Sequence, residues 1–175
     1  MNIEEFIRDV PDFPKPGIIF KDISPLLGNI EALRQSVRLL AEPYRDSGVE
    51  VVTGVEARGF IFGSLLADEL DAGFVPIRKP GKLPAETISE SYELEYGTDT
   101  VEIHADAVSP GTKVLMADDL IATGGTVEAA CKLVMKLGGD IVAAVFVVEL
   151  SFLSGRAKLD ALDVKTHSLI DVTGE

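Results

Sequence analysis

A chain of 175 residues is long enough for one domain with a sizeable core and short for two. Hydrophobic residues make up 46%, which excludes a disordered chain, and no apolar run reaches the roughly 18 residues that cross a bilayer. The formal net charge of -13 argues against nucleic acid as a main partner, because such a surface repels phosphate backbones.

The same charge sets a condition on any anionic ligand: a local cluster of cations and backbone N–H groups must overcome the field of the whole chain. Met1–Phe6 lacks the basic start and apolar stretch of a signal peptide. One cysteine, Cys131, leaves no intramolecular disulfide. Both features fit the cytoplasm.

Asn2–Val10 carries Ile3, Phe6, Ile7 and Val10 on one helical face, which predicts a short amphipathic helix. The prolines of Pro11–Gly17 break it, and Ile18-Ile19-Phe20 is a short apolar stretch. Asn29 predicts the cap of a helix running to about Arg45, closed near Ser47-Gly48. Val49–Val55 reads as a buried strand, Phe60–Leu70 as a helix and Phe74–Ile77 as a strand. Arg78–Tyr92 has no clear period and reads as a long loop, a length that usually serves function. Glu93–Tyr96 and Thr100–His104 flank Gly97-Thr98-Asp99 as a hairpin.

Thr112–Met116 reads as a buried strand and Thr126–Leu137 as an amphipathic helix with Val127, Cys131 and Val134 on its apolar face. Cys131 is therefore read as core rather than as a nucleophile. Asp140–Val148 and Val164–Ile170 complete the strands. Alternation of strand and helix predicts an α/β domain built on a mostly parallel sheet.

The segment Val114-Leu115-Met116-Ala117-Asp118-Asp119-Leu120-Ile121-Ala122-Thr123-Gly124-Gly125-Thr126 carries the chemistry. An apolar strand runs into two acids, then into a turn of small residues that opens a helix. Ligands of open α/β sheets sit beyond the carboxyl ends of strands. The turn Ala122–Thr126 offers successive N–H groups at the positive end of a helix. Gly124 and Gly125 admit close approach of a phosphate, while Thr123 and Thr126 add hydroxyl donors. Carboxylates accept hydrogen bonds from vicinal hydroxyls, so phosphate at the turn with a diol at the acids describes ribose 5-phosphate. No Gly-Lys-Ser/Thr follows, which excludes a Walker loop.

This segment resembles the ribose-phosphate signature of type I phosphoribosyltransferases. Phe13–Leu27, Glu56–Phe60, Arg78–Pro84 and Tyr92–Gly97 resemble, in order, the branch of that family that takes adenine. The resemblance implies a five-stranded, mostly parallel sheet with helices on both faces, a single domain over residues 1–175, a hood over residues 1–28, and a mobile flap and hairpin over residues 78–104. It implies a purine-salvage transferase that turns adenine and 5-phosphoribosyl-1-pyrophosphate into AMP and pyrophosphate, with Mg²⁺ on the sugar diphosphate and no direct protein ligand to the metal. It further implies a homodimer, with neither nucleic acid nor membrane as partner.

By the same resemblance, Ala122, Thr123, Gly124, Gly125 and Thr126 hold the 5-phosphate, and Asp118 and Asp119 lie by the ribose hydroxyls. Glu56, Ala57 and Arg58 belong to the pyrophosphate loop, where the family usually has a non-proline cis peptide. Arg78, Lys79 and Lys82 add the cations that an acidic chain needs against a diphosphate. Phe20 matches the aromatic that stacks on the base, flanked by Ile19 and Lys21, with Leu120 on the other side. Glu95 matches the carboxylate that takes the base proton, beside Tyr96 of the flap, and Glu93 and Glu102 are alternatives. Ala57, Ala85, Ala117 and Lys21 depart from common choices of Ser, Gly, Val and Arg. A transferase for another purine base, or a non-catalytic regulator of the same fold that senses the sugar diphosphate, are the alternatives.

Overall fold

A computed structural model describes residues 1–174 of the chain. The helix expected over Asn2–Val10 is replaced by a 3-10 turn at Ile3–Phe6 and a strand, β1 (Arg8–Pro11), paired antiparallel with β2 (Ile19–Asp22). Cross-strand charges explain the change. Arg8 faces Asp22 at 2.5 Å and Asp9 faces Lys21 at 2.6 Å, pairs that a helix would separate. Asp12 closes the proline-rich turn by accepting the Gly17 N–H at 2.8 Å, and the Phe13–Pro14 bond is cis.

A short helix, α1 (Ser24–Gly28), follows. Asn29 caps α2 (Ile30–Ala41) by accepting the N–H groups of Glu31 and Ala32. The helix ends before Pro43, which lacks the N–H needed to continue it, and a 3-10 turn at Glu42–Tyr44 takes its place.

The strands β3 (Val51–Val55), β4 (Gly73–Ile77), β7 (Lys113–Ile121), β8 (Asp140–Leu150) and β9 (Thr166–Val172) form a fully parallel sheet in the order β4-β3-β7-β8-β9. Its central strands are buried on both sides, hence the continuous apolar runs in their sequences. One face packs α2 and α3 (Arg58–Glu69) through Leu40, Phe62 and Leu66 against Leu115 and Val145. The other packs α4 (Gly125–Lys136) through Val127, Cys131 and Val134 against Met116 and Phe146.

The long loop expected over Arg78–Tyr92 contains a strand. β5 (Thr87–Glu93) pairs antiparallel with β6 (Thr98–His104), from Thr87 opposite His104 to Glu93 opposite Thr98. Its apolar alternation is confined to Ile88 and Tyr92, too sparse for a pattern. The turn is Leu94–Gly97, closed by Leu94 N–H to Gly97 carbonyl at 2.9 Å, and Thr98 and Asp99 belong to the second strand. β7 also runs past Met116, so Asp118 and Asp119 are strand residues, with Asp118 opposite Phe146 and Leu120 opposite Val148 of β8. A last short helix, α5 (Gly155–Asp160), precedes β9.

Candidate active site

A cavity of about 450 Å³ opens beyond the carboxyl ends of β3 and β7. It is lined by Val55–Arg58, Lys79 and the continuous run Asp118–Val127. The five residues of the expected phosphate turn therefore share one wall with both aspartates, Leu120 and the expected pyrophosphate loop.

The turn is shaped by backbone. Gly124 has φ +81 and sits at the N-terminus of α4, where its carbonyl accepts the Glu128 N–H at 2.9 Å. A Cβ there would lie 2.7 Å from the Gly155 carbonyl oxygen, so both the left-handed conformation and the space demand glycine. Gly155 opens α5 and braces the turn in return: its own Cβ would lie 2.3 Å from the Ala122 carbonyl oxygen. The N–H groups of Thr123 to Val127 meet no acceptor among the described residues. They form a row of free donors at a positive helix end.

The two aspartates have different surroundings. Asp119 is 4% exposed, with Oδ2 2.6 Å from Arg58 Nε. Asp118 accepts the Asp119 N–H at 2.8 Å. Burial, then the charge of Asp119, pushes the Asp118 carboxyl well above the usual carboxylate range.

The Glu56–Ala57 peptide bond is cis, and Arg58 starts α3 immediately after it. Glu56 gathers the expected cations. Its carboxylate lies 3.2 Å from Arg78 Nε and 2.6 Å from Lys82 Nζ, and accepts the Lys79 N–H at 2.8 Å. Burial opposes the charge of Glu56, but Lys82, the Lys79 N–H and Arg78 outweigh it and hold the carboxyl below its ordinary value. The Lys79 ammonium pairs with Asp99 and donates to Tyr92 Oη at 3.1 Å.

Phe20 stands edge-on to Phe13, ring centroids 5.2 Å apart, with the Arg58 guanidinium 5.7 Å from its own centroid. Arg58 thus links Phe20 of β2 to Asp119. Ile19 is exposed and the Lys21 ammonium is taken by Asp9. Glu95 and Tyr96 occupy the exposed tip of the β5–β6 hairpin and do not line the cavity. Glu93 is likewise exposed, and Glu102 accepts the Gly81 N–H at 3.2 Å.

Three residues of this region carried no expected role from the sequence, although Tyr92 opens the Tyr92–Gly97 stretch of the family resemblance. Gly155 braces the turn, as described. Tyr92 lays its ring 3.3 Å from the position of a Gly125 Cβ, and Lys158 brings Nζ to 3.7 Å from the same point. For Tyr92 the signs were that resemblance and the weak alternation with Ile88. Nothing local marks a six-residue helix whose role is to touch a distant turn.

A parallel sheet with such a turn at the end of a central strand defines a class, and residues 26–174 match the phosphoribosyl transferase domain family. An adenine phosphoribosyltransferase of Yersinia pestis (strain Pestoides F) is 55% identical over 98% of this chain and 92% of its own length. The crystal structure of adenine phosphoribosyltransferase from Thermoanaerobacter pseudethanolicus aligns with TM-score 0.92 and 52% identity, over 97% of this chain and 98% of its own. The Saccharomyces cerevisiae enzyme, complexed with adenine and an imino-altritol bisphosphate, aligns with TM-score 0.88 and 40% identity, over 95% and 96%. The chain belongs to the phosphoribosyltransferase family, in its adenine phosphoribosyltransferase branch.

Proposed function

We propose that the chain is a purine-salvage transferase that joins adenine to the sugar of 5-phosphoribosyl-1-pyrophosphate, giving AMP and pyrophosphate. The observation that carries this is the row of unpaired N–H groups from Thr123 to Val127 beside Asp118 and Asp119 in one cavity. The 5-phosphate would take those donors with the Thr123 and Thr126 hydroxyls, and the sugar hydroxyls would donate to the two carboxylates.

Bond exchange at the sugar C1′ passes through an oxocarbenium-like state. Carboxylate charge at Asp119, and at Asp118 once it ionises, would favour that positive charge. Arg58, Lys79, Arg78 and Lys82 would stabilise the departing pyrophosphate. Glu56 would keep the Arg78 and Lys82 side chains assembled, beside the Lys79 backbone N–H, until a diphosphate competes for them. Phe20 would stack on the adenine, between Ile19 and Lys21, with Leu120 opposite. Adenine N9 loses a proton as its bond to C1′ forms, and Glu95 would accept it once the hairpin tip folds over the cavity.

No three His, Cys, Asp or Glu side chains form a metal-binding group among the described residues. Mg²⁺ commonly keeps its water and is carried by substrate phosphates, and Asp118 and Asp119 in the cavity would hold it through water or the sugar hydroxyls. When bound, the ion would neutralise and polarise the diphosphate oxygens.

We further place the enzyme in the cytoplasm, in keeping with its single buried cysteine. Its working form would be a homodimer. The outer side of α3, where exposed Leu65 follows half-buried Ile61 by one helical turn, supports an interface near the pyrophosphate loop.

Protein mixed with Mg²⁺, adenine and 5-phosphoribosyl-1-pyrophosphate should yield AMP and pyrophosphate, with hypoxanthine, guanine and xanthine turning over far more slowly. Comparable turnover of a 6-oxopurine, or no AMP at all, would refute the proposal.

A further inference from the structure

We propose that Tyr92 is a positioning residue that relays the charge of Lys79 to the 5-phosphate through Thr126. The proposal rests on the reading of residues 122–126 as the phosphate turn. The Tyr92 hydroxyl lies within 3.1 Å of both Lys79 Nζ and Thr126 Oγ1, and 3.2 Å from Asp99 Oδ2. Its ring packs against Gly125, and the Lys79 ammonium lies 5.6 Å from the ring centroid. One hydroxyl thus touches the flap root, the hairpin and the phosphate turn at once.

A tyrosine hydroxyl has one proton and two lone pairs. It accepts from Lys79 and Thr126 and donates to Asp99, so its capacity is filled. A phosphate in the turn claims the Thr126 proton, because a charged acceptor outcompetes a neutral one. Thr126 Oγ1 then needs a donor, and Tyr92 can turn its proton from Asp99 to Thr126 with no heavy atom displaced. Asp99 keeps its ion pair with Lys79. The result is a single directed chain: Lys79 ammonium to Tyr92, Tyr92 to Thr126, Thr126 to phosphate. Each bond in such a chain polarises the next, with a cation at its head and an anion at its tail.

The test is binding of AMP and of adenosine to Tyr92→Phe, with KM and kcat for the sugar diphosphate. AMP should bind about tenfold more weakly and KM should rise by a like factor, the effect of one charge-assisted hydrogen bond. Adenosine binding and kcat should stay within about twofold. Loosening of the hairpin would move adenosine and kcat as well, so a uniform loss overturns the relay. Thr126→Val should show the same loss of AMP affinity, Thr126→Ser should restore it, and Tyr92→Phe should add nothing in the Thr126→Val background. Independent, additive losses overturn the relay, as does undiminished AMP preference in Tyr92→Phe. If AMP leaves the amide signals of residues 123–127 of the wild type unmoved, the phosphate turn itself is misplaced and the relay falls with it.

Discussion

Arg58 Nε lies 2.6 Å from Asp119 Oδ2, and this contact sets two neighbouring aspartates apart. Asp119 has a cation in contact, whereas burial first, and then the neighbouring charge of Asp119, raises the Asp118 carboxyl well above the usual range.

Stability in the absence of ligand should therefore depend on pH through Asp118. In acid, below the ordinary carboxylate value, both folded and unfolded chains hold this proton and its contribution is fully present. As pH rises, the unfolded chain releases the proton first, and stability is lost until the folded carboxyl also ionises. Asp118→Asn removes this loss. Its melting temperature should exceed that of the wild type at pH 8 and by less at pH 4, while AMP formation falls roughly tenfold or more as an acceptor for the sugar is weakened. Thermal melts at the two pH values and an AMP assay check both halves.

Gly124→Ala should cost about 1–3 kcal/mol, since alanine resists the left-handed conformation and its methyl meets the Gly155 carbonyl. Urea unfolding measures the loss, and a variant as stable as wild type would contradict the geometry.

Glu95→Gln should lower kcat by about 10²–10⁴-fold, the range for a lost general base, with AMP affinity kept. Retained activity would transfer the proton-accepting role to another carboxylate and leave the phosphate turn untouched.

Cys131 is fully buried in α4 and its thiol is pushed up to about 12 by burial, with Glu128 adding to the shift. Thiol reagents act on the thiolate. The folded protein should stay unlabelled by such a reagent at pH 8 and take up one equivalent once unfolded in urea; rapid labelling of the native state would contradict the packing.

The sheet was legible because its strands are buried on both faces: apolar runs such as Val145–Val148 leave little choice of structure. The turn after β7 was legible because glycines and hydroxyls between a strand and a helix have few other uses. What escaped is held by distant partners. β1 exists because Arg8 and Asp9 meet Asp22 and Lys21 across a turn, and β5 because β6 returns beside it. The long reach of β7 through Asp118 and Asp119 depends on β8. Pairing of this kind leaves little trace in local periodicity. The cations were expected from the family resemblance, yet the meeting of Arg78 and Lys82 on Glu56 shows only in the folded chain.

The contact of Gly155 with Ala122 and Gly124 ties the gripping bend to a piece of chain made some thirty residues later. During synthesis, a ribosome-bound fragment that stops short of α5 would have every donor for the anion yet no floor beneath them. The ability to hold a substrate should therefore arise abruptly, once α5 has emerged and can pack under the turn.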